Sequence, residues 1–332
     1  MILVTGAAGH IGNVLVRELL SEGKRVRALV LPGEDTSSLE GLNIEFVEGD
    51  VLDSLSLNQA MKGIDTVFHL AGVISIMPGQ NDWMWKVNVV GTKNVIQASK
   101  NAGVARLVYT SSIHAFSRDW KGKIDESVSF DPDNPVGGYD RTKAAASLAV
   151  LDAVKDGLNA VIVCPTGVIG PHDYRGSEMG ELLTDWLRRK LHFLVTGAYD
   201  FVDVRDVARG HILACEHGRS GEVYILSGRQ IKVLELKKLV QDALGYRIVA
   251  VTIPMWIAKI GSKIMPLYYG LTKKTPKFTD YSLKTLQSNS NISCEKAKRE
   301  LGYNPRALAA TIKDTVRWLI QKKKKKVSGK SG

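Results

Sequence analysis

A tyrosine and a lysine four residues apart form the pair in this sequence that could best do acid–base chemistry. Tyr139 and Lys143 fall in a predicted helix, where residues at this spacing share one face. A tyrosine hydroxyl has an ordinary pKa of about 10, so it transfers protons near neutral pH only beside a positive charge. Lys143 would supply that charge.

The surroundings of this pair separate it from a chance match. A predicted strand that ends in Ser111 and Ser112 precedes the helix of Tyr139. Ser112 is the last serine before the end of the strand, so it is the candidate active-site serine, with Ser111 as the alternative. A second pair at the same spacing, Tyr269 and Lys273, lies among proline and glycine residues and follows no such strand. We interpret it as structural.

A glycine-rich loop opens the chain. Gly6, Gly9 and Gly12 lie between the first predicted strand and the first predicted helix. Glycines at these positions permit a tight turn and a close approach of the backbone, so that the helix N-terminus can face a pyrophosphate. The strand–loop–helix context is the one that dinucleotide binding requires, so the loop predicts a nucleotide site.

The elements that must position these residues alternate along the first half of the chain. Amphipathic helical patterns separate the apolar strand candidates, which are 2–4, 26–31, 44–47, 66–70, 107–110 and 160–164. Apolar strands joined by helices predict right-handed crossovers and a parallel sheet covered on both faces. The fold class is therefore α/β, a doubly wound Rossmann-type sheet with a smaller C-terminal lobe.

The predicted domain boundaries follow the loss of this regularity after Gly170. Residues 1–170 should form the dinucleotide-binding domain, with 201–227 returning to it. Residues 171–200 and 228–320 should form a substrate lobe over the carboxyl ends of the strands, where such sheets bind ligands. Residues 321–332 should be a basic, disordered tail.

Charge and cysteine content exclude several classes of function. Six lysines of this tail, 322–326 and 330, account for much of the formal charge of +11, so no specific nucleic-acid partner is expected. The three cysteines are far apart and form no Cys-x-x-Cys motif, which predicts no disulfide framework and no metal site and fits a cytoplasmic protein. A predicted strand begins at Ile2, which leaves no room for a signal peptide, and no apolar run is long enough to span a membrane.

The order of motifs resembles that of the extended short-chain dehydrogenase/reductase superfamily. The loop follows Thr5 with two residues between successive glycines, and further matches run through about two hundred residues. They are Gly49-Asp50-Val51, His69-Leu70-Ala71-Gly72, Val87-Asn88-Val89-Val90-Gly91-Thr92, Val108-Tyr109-Thr110-Ser111-Ser112, Tyr139-x-x-x-Lys143 and Phe201-Val202-Asp203-Val204-Arg205-Asp206-Val207-Ala208. Dihydroflavonol reductases and hydroxysteroid dehydrogenases are the members most similar in pattern.

The resemblance implies roles for the catalytic candidates. Tyr139 would exchange a proton with the substrate oxygen, Lys143 and an oxidised nicotinamide would favour the phenolate, and Ser112 would hold the substrate oxygen in line. It also implies a cofactor shell. That shell comprises Gly6, Ala8, Gly9, His10, Ile11, Gly12, Asp50, Val51, Leu70, Ala71, Gly72, Asn88, Tyr139, Lys143, Pro165 and Val168. For Asn88, ordering of the active site and plain structural capping stay equally open.

The end of the second strand leaves the choice of coenzyme open. An acidic residue there binds the ribose of NAD, and an arginine accommodates the phosphate of NADP. Val30 and Leu31 occupy these positions here, whereas dihydroflavonol reductases carry arginine at the position of Leu31. Because Glu34 and Asp35 just beyond would repel a phosphate, NAD is favoured over NADP.

Three functions remain compatible with the sequence. A carbonyl reductase or alcohol dehydrogenase is favoured over a nucleotide-sugar epimerase, and a non-catalytic nucleotide-binding scaffold is the third. Sugar dehydratases of the superfamily carry Asp-Glu after the active-site serine or threonine, where this chain has Ile113 and His114. Epimerases tend to end the sixth strand with arginine, and Cys164 stands there instead.

The apolar stretch 253–271 favours a hydrophobic substrate over a charged sugar diphosphate. Packing onto its own lobe and peripheral membrane contact through Trp256, Lys259 and Lys263 are the alternatives for this stretch. A homodimer is also left open. Five residues that follow strand ends could line the pocket, namely Met77, Trp83, His114, His172 and Tyr174, while Arg188 and Arg189 could grip an anionic substrate or face solvent.

Overall fold

The computed structural model describes residues 1–74, 81–261 and 280–328. The strands in chain order are β1 (Ile2–Thr5), β2 (Val26–Val30), β3 (Glu45–Glu48), β4 (Thr66–His69), β5 (Arg106–Thr110), β6 (Ala160–Pro165), β7 (Gly167–Ile169), β8 (His192–Val195), β9 (Ala198–Asp203), β10 (Val223–Leu226), β11 (Arg229–Lys232) and β12 (Ala250–Ile253). The helices are α1 (His10–Ser21), α2 (Ser54–Ala60), α3 (Asn81–Trp85), α4 (Gly91–Asn101), α5 (Gly138–Lys155), α6 (Glu178–Trp186), α7 (Val204–His217), α8 (Val233–Leu244), α9 (255–261), α10 (Asp280–Gln287), α11 (Glu295–Leu301) and α12 (Leu308–Ser328).

The main sheet has seven parallel strands in the order β10-β6-β5-β4-β1-β2-β3. The chain reverses its direction of travel across the sheet between β1 and β4, so a crevice opens at their carboxyl ends. Thr5 and His69 are paired at this edge. The predicted doubly wound parallel sheet is confirmed.

Helices cover both faces of the main sheet because its strands are apolar on both sides. One core packs the sheet against α1, α7 and α11, through residues such as Leu15, Ile212 and Leu301. The other packs the sheet against α2, α4 and α5, through residues such as Leu57 and Val95. The helix that carries Tyr139 and Lys143 joins this core through Ala146, Val150 and Ala153.

A smaller set of elements, here called the small lobe, surrounds a third core. It contains a three-stranded sheet in the order β11-β9-β7 and a two-stranded parallel sheet of β12 and β8. Its core includes Trp186 of α6, Leu236 of α8 and Ile312 of α12, all buried. None of the described helices is long and apolar enough to cross a membrane.

The C-terminal residues differ from the predicted disordered tail. Helix α12 continues to Ser328, and Lys322 packs onto the small lobe instead of facing solvent. Its ammonium group donates to the carbonyl oxygens of Asp173 and Tyr174, at 2.9 and 2.7 Å, and lies 5.0 Å from the ring centroid of Trp318. These partners are distant in sequence, so the run of lysines alone could not reveal them. Residues 329–332 lie outside the described residues.

Candidate active site

The glycine loop lies at the crevice between β1 and β4. Gly6 has a φ of +68°, and a Cβ there would approach the Ala71 nitrogen to 2.7 Å, so a side chain is excluded. A Cβ on Gly12 would overlap the carbonyl oxygen of Gly6. Gly9 is the N-cap of α1 and offers no side chain to satisfy the first N–H groups of the helix. The loop therefore leaves a helix N-terminus open to an anionic group such as a pyrophosphate.

The other cofactor candidates surround this edge of the main sheet. Leu70, Ala71 and Gly72 follow β4, and Asp50 and Val51 follow β3. The carboxylate of Asp50 accepts from the Leu52 nitrogen at 2.9 Å. The remaining candidates are Ala8 in the glycine loop, His10 and Ile11 at the start of α1, Pro165 at the end of β6 and Val168 in β7.

His10 joins the glycine loop to the segment that follows β7. Its Nε2 lies 3.0 Å from the carbonyl oxygen of Pro171, and the amide of Asn13 donates to the carbonyl oxygen of His172 at 3.1 Å. Burial lowers the pKa of His10, so the side chain is neutral near pH 7. These contacts hold the segment against the N-terminal part of α1.

Ser112 lies next to the hydroxyl of Tyr139, whereas Ser111 points elsewhere. Burial raises the pKa of Tyr139 to about 12, and the neighbouring Ser112 hydroxyl acts in the opposite direction. Ser112 also accepts from the backbone nitrogen of His114 at 3.2 Å. The hydroxyl of Ser111 is instead bound to that of Ser147 at 2.6 Å, inside the core. The structure thus brings Ser112, rather than its neighbour, to the tyrosine.

Lys143 is buried beneath the loop that follows β4. Its ammonium group donates to the carbonyl oxygen of Thr110 at 2.7 Å and lies 5.1 Å from the ring centroid of Tyr109. Gly72 lies directly above it, since a Cβ there would be 3.5 Å from this nitrogen and 3.2 Å from Oδ1 of Asn88. Burial lowers the pKa of Lys143 to about 8, which leaves it mostly charged at neutral pH.

Asn88 ties the loop after β4 to the catalytic helix. It lies in a π-helical turn, Lys86–Val90, and such turns are frequent at functional sites. Its side chain bonds both backbone groups of Val73 and donates to the hydroxyl of Thr142 at 3.0 Å. Asn88 therefore orders the loop and α5.

A buried hydrogen-bond chain connects the glycine loop to Asn88. The hydroxyl of Thr92 donates to the Asn88 carbonyl oxygen, so it must accept from Nε2–H of His69. Nδ1 of His69 then accepts from the hydroxyl of Thr5, which itself accepts from the Ala71 nitrogen. Burial lowers the pKa of His69 to about 3 and keeps it in this neutral form. In the sequence these residues stand only within separate motifs, and no spacing between them indicates the hydrogen-bond chain.

An aromatic wall lies beside Tyr139. It consists of His114, Tyr199 and Tyr281. The ring of His114 meets that of Tyr139 edge-on at 6.3 Å, stacks on that of Tyr199 at 5.9 Å, and lies 6.0 Å from that of Tyr281. Only His114 was a candidate from the sequence, because Tyr199 and Tyr281 come from distant parts of the chain.

The protonation of His114 follows from its partners. Arg118 can only donate, so Nδ1 of His114 is the acceptor of their hydrogen bond. The proton of neutral His114 is therefore on Nε2, which donates to the Tyr199 hydroxyl oxygen at 2.7 Å. Within the described part of the chain, His114 is the hydrogen-bond partner of the Tyr199 hydroxyl. The hydrogen of the Tyr199 hydroxyl is therefore left to donate to another group.

A buried ion pair supports the wall. Arg118 lies 2.7 Å from the carboxylate of Asp140, which is completely buried and follows Tyr139 in α5. The hydroxyl of Tyr281, in α10, donates to the other oxygen of Asp140 at 2.7 Å. This network joins the catalytic helix to α10. No local pattern in the sequence indicated it.

A carboxylate lies where the second strand ends. Glu34 accepts from the backbone nitrogen of Leu31 at 2.9 Å, so it folds back to the position whose side chain usually selects the coenzyme. Arg175 donates to the same carboxylate at 2.5 Å. The sequence predicted that Glu34 lies just beyond the second strand, near the coenzyme. It did not indicate that Arg175 pairs with this carboxylate.

The other pocket candidates do not converge on Tyr139. His172 and Tyr174 pack around Trp318 of α12, and Trp83 is largely exposed. Arg188 and Arg189 are exposed, which agrees with the solvent-facing alternative. Within the described residues, no cluster of side chains could hold a metal ion. Met77, Lys263, Tyr269, Lys273 and residues 262–271 of the apolar stretch lie outside the described residues.

Comparisons with known proteins match this arrangement. A sequence model of the NAD dependent epimerase/dehydratase family matches residues 2–227. Sterol demethylase protein B of Methylococcus capsulatus is 34% identical over 325 residues, which cover 96% of this chain and 98% of that protein. The decarboxylating sterol-4-alpha-carboxylate 3-dehydrogenase of Mus musculus is 29% identical, and the match covers 91% of this chain and 86% of that protein. The crystal structure of gox2253 superposes with a TM-score of 0.80 at 32% identity. The match covers 97% of this chain and 98% of that one.

Proposed function

The chain belongs to the NAD-dependent epimerase/dehydratase family, and we propose that it exchanges a hydride between NAD and a carbonyl or secondary alcohol. The observation that carries the proposal is the placement of the Ser112 hydroxyl next to that of Tyr139, one helical turn from buried Lys143. A hydroxyl pair of this kind can hold one substrate oxygen and exchange a proton with it.

Tyr139 is the group that moves the proton. In the reducing direction its hydroxyl donates to the oxygen of the carbonyl; in the oxidising direction its phenolate takes the proton of the alcohol. Burial raises the pKa of Tyr139 to about 12, so the phenolate needs the positive charge of Lys143 close by. Ser112 orients the oxygen so that the proton moves along a short path.

The residues of the crevice fit NAD. Bound there, NAD would accept or supply the hydride at its nicotinamide ring. The open N-terminus of α1, with Gly6, Gly9 and Gly12, would hold the pyrophosphate. Glu34 would face the adenosine ribose, where its carboxylate can accept from hydroxyl groups.

The aromatic wall supports a hydrophobic substrate with a flat ring system. Its rings present apolar faces beside Tyr139, and Arg118 behind them is already paired with Asp140. The Tyr199 hydroxyl, oriented by His114, would donate to a second oxygen of the substrate. The names of two relatives refer to sterols, which agrees with this class of substrate.

The test follows absorbance of the nicotinamide with hydroxysteroids, ketones and sugar nucleotides as substrates. We expect net formation or consumption of NADH with a hydrophobic alcohol or ketone. The Tyr139→Phe variant should lose about 10²–10⁴-fold in kcat/KM because the transferable proton is gone. It should keep its affinity for NAD, measured by fluorescence titration.

The adjacent serines provide a matched control. Ser112→Ala should lower kcat by about 10²-fold or more, whereas Ser111→Ala should keep most of the activity because its hydroxyl contacts Ser147. Full activity of the Tyr139→Phe variant would refute the assignment. Conversion of a sugar nucleotide without net change in NADH would identify an epimerase instead.

A further inference from the structure

The two-stranded sheet of the small lobe turns an apolar face outward. Phe193 and Val251 are paired across β8 and β12, so their side chains lie next to each other on one face. Leu191 and Val249 precede them by two residues and share that face. The four side chains are 55%, 51%, 49% and 59% exposed, respectively. The opposite face, which includes Leu194, is buried in the core of the small lobe.

Helix α9 extends this face. Ala258 packs over Val195 at the end of β8, with Met255 beside them, so one side of the helix is fixed to the sheet. The other side presents Trp256, Ile257 and Ile260, and Trp256 is 65% exposed. We call the combined surface the outer apolar surface; it consists of Leu191, Phe193, Val249, Val251, Trp256, Ile257 and Ile260. Seven large exposed apolar residues on neighbouring elements exceed the scattered ones expected on a soluble surface.

The charges around the outer apolar surface are mostly positive. The two segments that form it, 187–199 and 246–261, contain no aspartate or glutamate. They contain five exposed cationic residues, Arg188, Arg189, Lys190, Arg247 and Lys259. Asp185 of α6 partly offsets this charge, since it lies 2.6 Å from Lys190 and 3.9 Å from Arg188. The remaining excess is positive.

We propose that the outer apolar surface docks on the surface of an anionic lipid bilayer. An exposed tryptophan beside aliphatic side chains suits the boundary between headgroups and acyl chains, and lysine and arginine at the edge suit anionic headgroups. A second copy of this chain is less favoured, because it would bring the same cations of both segments against each other. Docking here is independent of the reaction at Tyr139.

Vesicle co-sedimentation of the full chain tests the proposal. We expect binding to vesicles of phosphatidylcholine with 30% phosphatidylglycerol, weaker binding to pure phosphatidylcholine, and release as salt is raised. Phe193→Glu and Trp256→Glu, on the sheet and on α9, should each weaken binding about tenfold or more. Leu55→Glu, at an 81% exposed position in α2, is the matched control and should bind like the wild type.

Three results would overturn the proposal. The first is absence of binding to anionic vesicles. The second is an equal loss in the Leu55→Glu control. The third is a dimer in sedimentation velocity that Phe193→Glu dissociates, since a second copy would then be what covers the surface. Circular dichroism and turnover of a water-soluble test alcohol check that each variant is folded.

Discussion

At the scale of single residues, burial sets the protonation states in the site. Lys143 and Tyr139 are both buried, and burial disfavours the charged form of each. The pKa of the lysine therefore falls towards neutrality while that of the tyrosine rises. Near pH 7 this gives a protonated tyrosine one helical turn from a charged lysine, the combination that the proposed reduction of a carbonyl requires.

The pH dependence of reduction should follow Lys143. Tyr139, with a pKa of about 12, stays protonated throughout, whereas Lys143 loses its proton above its pKa of about 8. We expect kcat/KM for ketone reduction to be level up to about pH 7 and to fall above about pH 8. The measurement is a pH–rate profile from pH 6 to pH 10.

The Lys143→Arg variant is the control for this profile. A guanidinium stays charged over the whole range, so the alkaline decline should disappear even if the overall rate is lower. The same decline in this variant would assign the titration to another group.

Tyr199 should contribute to substrate binding. Its hydroxyl accepts from His114 and is left to donate, so Tyr199→Phe removes one hydrogen bond to the substrate. We expect KM to rise about tenfold with little change in kcat, as for a bond worth about 1–1.5 kcal/mol in both ground and transition state. Tyr246→Phe, which removes a bond to Leu187 elsewhere in the small lobe, should leave KM unchanged. A fall in kcat alone would contradict a binding role.

At the scale of elements, irregular turns and helix ends position the reactive groups. The π-helical turn places Asn88 where it reaches both the loop after β4 and the catalytic helix. The uncapped start of α1 leaves donors for an anion. Helix α12, in turn, is held at its C-terminal part by Lys322.

Lys322 should stabilise the fold although it begins a run of lysines. Lys322→Ala removes two charge-assisted hydrogen bonds at a partly exposed site, so we expect a loss of about 1 kcal/mol in the free energy of unfolding. Lys323→Ala, at the next, exposed position, should change it by less than about 0.5 kcal/mol. Urea unfolding measures both. Equal losses in the free energy of unfolding for the two variants would instead indicate that the C-terminal lysines make no specific contacts.

At the scale of the whole molecule, the crevice lies between the main sheet and the segment after β7. His10, Asn13 and Glu34 each contact this segment, through Pro171, His172 and Arg175 respectively. A dinucleotide on the glycine loop would be enclosed by these contacts. Its binding should therefore stabilise both parts of the molecule together.

NAD should stabilise the protein more than NADP does. At a hundred times its Kd, a ligand adds about 2.7 kcal/mol to the free energy of unfolding. Glu34 lies where the 2′-phosphate of NADP would approach, and it also neutralises Arg175. In Glu34→Gln, we expect the affinity for NADP to rise about five- to tenfold and that for NAD to change less.

Thermal shift titrations with both coenzymes measure this difference. Glu40→Gln, at an exposed position away from Leu31, is the matched control and should keep the preference of the wild type. An unchanged preference in Glu34→Gln would mean that another group selects the coenzyme.

The sequence by itself determined the fold class, the family and the coenzyme class, all of which are confirmed. Each depends on short-range patterns: apolar strands alternating with amphipathic helices, and glycines at a fixed spacing after β1. The role of Gly6 could be predicted from the sequence because a tight turn of this kind requires glycine. In the structure its positive φ and the lack of space exclude every side chain. The pairing of Tyr139 with Lys143 follows in the same way from helical geometry.

The tertiary structure alone decided what surrounds that pair. Tyr199 meets His114 across 85 residues of chain, and Tyr281 meets Asp140 across 141. Arg175 reaches Glu34 across the same distance of 141 residues, and Lys322 reaches Asp173 across 149. Such contacts depend on how separate elements pack, and no local spacing encodes them. The Tyr139 and Lys143 pair could therefore be predicted from the sequence, whereas the aromatic wall beside it and the end of α12 could not.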